Sequence, residues 1–158
     1  MKPSRSGVVG LLGAALGIHR DQVDRLAALH AGLGFAVRID RRGTAAVDYH
    51  TVTAPGVFKT TLQTWRTCLQ DASFAAIVIE GPGLSTPLET ILEARRHPRF
   101  VLFLGRKACP PSLPILALPR ILEGESWQEL IDAIPPADRT DDDAGVTFVD
   151  AELGADDA

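Results

Sequence analysis

The sequence predicts an α+β fold, with helices packed on a mostly antiparallel sheet. Three observations carry that prediction. Helical and strand patterns alternate along the chain. Ser73–Glu80 (SFAAIVIE) is an almost unbroken apolar run of strand length. The segment GVVGLLGAALGI is apolar nearly all round, as a buried helix is. With 158 residues, 46% of them apolar and 23% charged, the chain has the size and composition of one globular domain rather than of a disordered chain.

The elements follow in order. Ser4-Arg5-Ser6 leads into a first helix over about 6–18, in which Gly10, Gly13 and Gly17 fall three and four apart on one face. Glycine costs about 1 kcal/mol per helical residue relative to Ala, so the cluster asks for a packing reason, close approach to a sheet. A phosphate contact at the helix N-terminus is the alternative. Asp21 is placed to N-cap a second helix with Val23, Leu26, Ala27 and Leu29 as its stripe, and Gly32 or Gly34 stops it.

Residues 35–40 then read as a strand with Phe35, Val37 and Ile39 on one face, Arg41-Arg42-Gly43 as a basic turn, and 47–52 (VDYHTV) as a returning strand. Pro55-Gly56 marks another turn. The Thr-rich stretch TLQTWRTCLQ alternates Leu62, Thr64, Arg66 and Cys68 with Gln63, Trp65, Thr67 and Leu69, and turns at Gln70-Asp71 into Ser73–Glu80. That strand, apolar at nearly every position, is expected at the centre of the sheet with both edges paired. Gly81-Pro82-Gly83 closes it, and a helix follows at about 87–96 with Leu88, Ile91 and Leu92 apolar. Residues 100–104 form a short apolar run ending in Gly105-Arg106-Lys107. Four prolines keep 109–119 irregular, and 127–134 reads as a short helix. The tail from Pro135 is acidic and expected to be mobile, apart from a strand at Val146–Val149.

A net charge of -4 conceals an asymmetry. Residues 1–122 hold 15 Lys/Arg against 8 Asp/Glu, whereas 123–158 hold Arg139 against 12 acids. A basic body suits a polyanion, and the tail can repel or mimic one. Cys68 and Cys109, 41 residues apart with no CxxC pair, fit a reducing cytoplasm. Lys2 and Arg5 before an apolar stretch look like the start of a secretory signal, but the glycines and the unbroken passage into a second helix argue against it. No apolar run approaches the ~20 residues that cross a bilayer.

Enzyme signatures fail in turn: the glycines at 7–17 do not follow a strand and are not GxGxxG, and Walker A and GxSxG patterns are absent. His19, His30, His50 and His97 stand singly, so neither metal nor cofactor is expected. Three groups remain. Asp48-Tyr49-His50-Thr51 puts an aromatic ring, an imidazole and a hydroxyl on one strand, Tyr49 and Thr51 on one face and Asp48 and His50 on the other. Tyr with His can stack on bases and bond phosphates, or do acid–base work on a ribose hydroxyl; an ordinary half-buried Tyr is the plainer reading. Trp65-Arg66 pairs a stacking surface with a cation, against a plain core Trp. In Gly105-Arg106-Lys107 a glycine turns the chain and two cations project where a phosphate can sit, against a solvated basic loop. Together with the basic body, these groups favour nucleic acid over a small substrate.

At these same groups the chain resembles a known family. Ser4-Arg5-Ser6-Gly7 followed by VVGLLGAALGIHRDQ is similar to the TRSGLLGLLGAxLGIxRDD segment of the type I-E branch of the Cas-five family, RAMP proteins of the CRISPR Cascade complex. FAVRID, VDYHTV, LQTWRTCLQDASF and FVLFLGRKACPPSLPIL continue the likeness in the right order to about residue 118.

The resemblance implies a ferredoxin-like RAMP domain at 1–122 with a protruding arm at about 48–65, followed by the acidic segment 123–158. It implies a non-catalytic subunit that holds the 5′ handle of the CRISPR RNA, caps the backbone filament and touches the backbone and large subunits, with no membrane involved. The implied handle contacts are the 4–7 loop (Ser4, Arg5, Ser6), Tyr49 and His50, and Gly105, Arg106 and Lys107. Thr51, Lys59, Trp65 and Arg66 join them from the reading of the residues. The alternative function is a metal-independent endoribonuclease that processes precursor CRISPR RNA, for which Tyr49, His50 and Lys59 are the candidate acid and base. Family members begin with a strand and an LxGPxQSWG-like segment before the helix, while this chain starts at Met1-Lys2-Pro3. The expectation is therefore a domain short of its first strand, or a truncated non-functional copy.

Overall fold

The computed structural model describes residues 2–52, 61–113, 115, 120–135 and 146–149. Four helices and five strands appear among them: α1 (Arg5–Leu16), α2 (Val23–Ala31), β1 (Leu33–Arg41), β2 (Thr44–Val52), β3 (Leu62–Gln70), β4 (Ser73–Glu80), α3 (Leu88–Arg96), α4 (Trp127–Asp132) and β5 (Val146–Val149). The α+β class and the antiparallel pairing are as the sequence predicts.

Helix α1 is closed at both ends by its own residues. Ser4 Oγ accepts from Gly7 N at 3.1 Å. Gly17 takes the left-handed conformation (φ 74°), and the bond from Ile18 N to Gly13 O completes a Schellman stop. Of the three glycines expected to form one bare face, Gly17 lies against the Arg99 side chain, 3.2 Å from where its Cβ would sit, and Gly13 makes the tightest approach. A Cβ there would lie 2.7 Å from Leu26 Cδ2, so the close approach is to α2 and not to the sheet; a Cβ on Gly10 would meet open space. Helix α2 starts at the Gln22 N-cap rather than at Asp21, because the Gln22 side chain turns back to accept from His19 N at 2.9 Å. Its stripe is narrower than expected, since Leu29 is buried while Val23 and Ala27 are exposed.

Among the described residues the sheet order is β4-β1-β5, so β1 is central and β4 lies at an edge. This corrects the expectation that Ser73–Glu80 is the central strand. Both faces of β1 are buried from Leu33 to Asp40, whereas only Ile77 of β4 is buried. The cause is pairing: β1 bonds β4 on one side, with Phe35 opposite Val78, and β5 on the other, with Val37 opposite Phe148.

Helices cover both faces. On one, Val9, Leu12, Leu29 and Ile91 from α1, α2 and α3, with Ile18 from the α1–α2 connection, pack with Leu33 and Val78; on the other, Ile131, Ile134 and Trp127 pack with Ala36 and Ile77. The second cluster spans the boundary expected at residue 122, and β5 belongs to the same sheet.

A buried ion pair ties α4 to β1. Arg38 Nε donates to Asp40 Oδ1 at 2.7 Å, and its Nη1 donates to Ile131 O (2.8 Å) and Ile134 O (2.7 Å). On α3, Arg95 donates to Ile115 O, and burial pulls its guanidinium below the usual pKa.

β2 does not return along β1. It pairs with β3 in a separate two-stranded sheet, Thr44 opposite Gln70 through Val52 opposite Leu62. The ribbon leaves the main sheet through Gly43 (φ 69°) and rejoins it through Asp71 (φ 54°), where Arg41 donates to Asp71 O at 2.6 Å and to Asp71 Oδ1 at 2.9 Å. Along its length neither strand has a fully buried residue. The expected turn at Pro55-Gly56 lies outside the described residues.

Candidate nucleic-acid interface

The ribbon presents two chemically different faces. Period-two alternation puts Val47, Tyr49 and Thr51 with Thr67, Trp65 and Gln63 on one, and Asp48 and His50 with Arg66 and Thr64 on the other. Tyr49 and Trp65 are direct cross-strand partners, ring centroids 5.7 Å apart and planes tilted by 52°. They are 51% and 65% exposed, which rules out a core Trp at this position. Thr51 and Arg66 are exposed as well.

On the second face the imidazole and the basic loop meet through a carboxylate. His50 Nε2 donates to Asp48 Oδ2 at 2.8 Å, and Arg106 Nη1 reaches the same oxygen at 3.4 Å from a position 58 residues away. All three side chains are partly exposed. The loop that carries Arg106 is held by its own backbone. Gly105 sits at φ 81°, Leu104 N donates to Cys109 O at 2.8 Å, and Cys109 N donates to Arg106 O at 2.9 Å. Lys107 beside it is exposed.

The structure thus joins the Asp48-Tyr49-His50-Thr51 group to Trp65-Arg66 across the ribbon and to Gly105-Arg106-Lys107 through Asp48. It gives the 4–7 group a different setting. Ser4 caps α1, Ser6 is exposed, and Arg5 donates to His30 O at 2.7 Å and Leu33 O at 2.5 Å, which fixes the α2–β1 junction. Lys59 lies outside the described residues. Asp48 is the residue to which the sequence reading assigned no role. Its position two residues from His50 on a strand was the available signal.

Chemically, the second face offers a guanidinium and an oriented imidazole beside exposed backbone, and the first offers aromatic surface. A carboxylate accepting from Nε2–H is also the arrangement that orients a general base. Tyr49, however, belongs to the opposite face and cannot act on the same atoms as His50. Among the described residues no group of three His, Cys, Asp or Glu could hold a metal ion, and no helix is long and apolar enough to cross a membrane.

A family model described as CRISPR-associated protein (Cas_Cas5) matches residues 1–157. The chain belongs to the Cas-five family. Within that family it is 40% identical over 127 residues to the Escherichia coli (strain K12) protein named CRISPR system Cascade subunit CasD, covering 72% of this chain and 57% of the relative. A solved chain described as "CRISPR RNA-guided surveillance complex" superposes with a TM-score of 0.66 at 34% identity, over 90% of this chain and 62% of that one. Another, described as "Crystal structure of Cas protein", gives 0.58 at 37% identity over 83% and 56%. The chain therefore spans a little over half the length of the proteins it matches, and the likeness places its fold among the α+β RAMP-like domains.

Proposed function

We propose that this Cas-five chain is a non-catalytic RNA-binding subunit of a type I-E CRISPR Cascade complex, holding the 5′ handle of the CRISPR RNA and capping the backbone filament. One observation carries the reading: His50 and Arg106, far apart in sequence and each singled out for phosphate chemistry, converge on Asp48 at an exposed ribbon whose other face bears Tyr49 and Trp65. A ribbon of two strands with both faces open is not stable by itself and gains from a partner. In this reading the ribbon is the arm expected at 48–65, with RNA on its cationic face and the backbone subunit nearby. The two thiols, neither in a disulfide, suit a cytoplasmic complex.

The endoribonuclease reading has the Asp48–His50 contact in its favour. Among the described residues Tyr49, the candidate partner of His50, lies on the opposite face of the ribbon, which is why the scaffold reading is preferred. Incubating the chain with end-labelled repeat RNA in chelator separates the two. Retention of intact RNA on a filter is expected, and site-specific cleavage would replace the scaffold with the nuclease.

A further inference from the structure

Asp48 is a carboxylate in the middle of a surface proposed to hold a polyanion. Coulomb's law makes it unfavourable there, so its presence asks for a cause. It sits opposite Arg66 in the ribbon register, and its Oδ2 takes both His50 Nε2 and Arg106 Nη1. The loop around Arg106 is closed by its own backbone bonds, and Arg106 to Asp48 is a side-chain tie from that loop to the ribbon.

We propose that Asp48 is a positioning residue, which clasps the 104–109 loop to the ribbon and sets the imidazole and the guanidinium in place before an RNA phosphate arrives. The inference rests on the proposed RNA-binding function. Its physical content is preorganisation. The contact engages Nη1 of Arg106 among the described residues, and a guanidinium whose rotamer is already fixed loses less entropy when its other nitrogens meet phosphate. A carboxylate serving only as a counter-charge has the opposite consequence, because it subtracts attraction and orders nothing.

The two roles differ in sign, which makes them separable. Binding of fluorescein-labelled repeat RNA to the 158-residue chain is followed by anisotropy over a range of salt for Asp48→Ala, Asp48→Asn, His50→Ala, Arg106→Ala and the Asp48→Ala/Arg106→Ala pair. Positioning predicts that Asp48→Ala weakens binding by about three- to tenfold, as two side chains are ordered on binding instead of beforehand. Asp48→Asn, which keeps an acceptor oxygen, should lose less. The phosphate contacts still form in the complex, so the salt slope of Asp48→Ala should change little, whereas Arg106→Ala alone should flatten it by up to about one ion.

In the Asp48→Ala background, Arg106→Ala should cost less than it does alone. The thermal midpoint should stay within about 3 °C, so the loss does not come from unfolding. Tighter binding with a steeper slope, or unchanged binding, for Asp48→Ala while Arg106→Ala weakens it would overturn the positioning role and leave the RNA site standing. If neither Arg106→Ala nor His50→Ala alters binding, the RNA site itself is refuted and the inference falls with it.

Discussion

Arg38 and Asp40 face the same way from the central strand, joined at 2.7 Å with their side chains only 11% and 7% exposed. The guanidinium then spends its other donors on Ile131 O, Ile134 O and Pro135 O at the end of α4. Removing one member of a buried, hydrogen-bonded pair strips the other of its nearest counter-charge. Arg38→Met should therefore destabilise the chain by about 3–5 kcal/mol, read from the urea midpoint. Arg38→Lys keeps the charge but not the planar fork, and should recover only part of the loss. A midpoint unchanged in Arg38→Met would mean that the pair and the α4 tie contribute nothing.

Glycine positions separate conformational need from mere composition. Gly10 is exposed in mid-helix, and a Cβ there meets nothing within 4 Å. Gly10→Ala should stabilise by about 1 kcal/mol, raising the melting temperature by about 2–4 °C. Gly43 is the contrary case: at φ 69° its Cβ would press on Gln70 O and lie 2.7 Å from Ala72 N. Gly43→Ala should lower stability by at least about 1–3 kcal/mol. Calorimetry on the two variants checks both signs.

Much of this was legible in the sequence because it is local. Period-two alternation separated Tyr49 from His50, apolar length revealed β4, and a lone apolar island in an acidic tail marked β5. Partner choice was not legible. Ser73–Glu80 is the more apolar strand, yet β1 takes the centre because its two neighbours come from later chain, β4 some forty residues on and β5 more than a hundred, which no local pattern encodes. Nothing in the alternation of Arg38 and Asp40 within an apolar strand marks them as buried. Their burial depends on three carbonyls some ninety residues on, one from α4 (Ile131) and two from just beyond it (Ile134 and Pro135). At the candidate site the participants were visible as residue types, and the Asp48 bridge that unites them was not.

Trp65 offers a test of the ribbon's role. Exposed and packed on Tyr49, it should cost under about 1.5 kcal/mol of stability when changed to Ala, against the about 3–5 kcal/mol of a core Trp. In the proposed function the same variant weakens repeat-RNA binding, by about 1–3 kcal/mol where a base stacks on the ring. Denaturation and anisotropy on one preparation measure both, and a large stability loss with unchanged binding would contradict the assignment.

The acidic tail needs a gentler probe than deletion. Truncation at 135 also removes β5 and exposes one edge of β1. Replacing Asp141, Asp142 and Asp143 with Asn leaves the β5 sequence intact and removes three charges. Non-specific RNA binding should tighten at low salt. The difference should vanish as the Debye length falls from about 10 Å at 0.1 M to about 3 Å at 1 M. Equal titration curves for the parent and the Asn variant at low salt would show that the tail does not compete for the basic body.

The order of translation gives the Arg38 tie a meaning for how the chain is made. Arg38 leaves the ribosome 93 residues before Ile131, the first of its carbonyl acceptors. At ~5–20 residues per second that gap lasts roughly 5–20 s. During it β4 is already available to β1, but a guanidinium and a carboxylate sit on the sheet face that α4 will cover. Charge at that place resists early dehydration, so the nascent sheet keeps one side wet until α4 arrives with its acceptors. The buried pair thereby makes burial of that sheet face conditional on the chain's later residues, which bring the acceptors it needs.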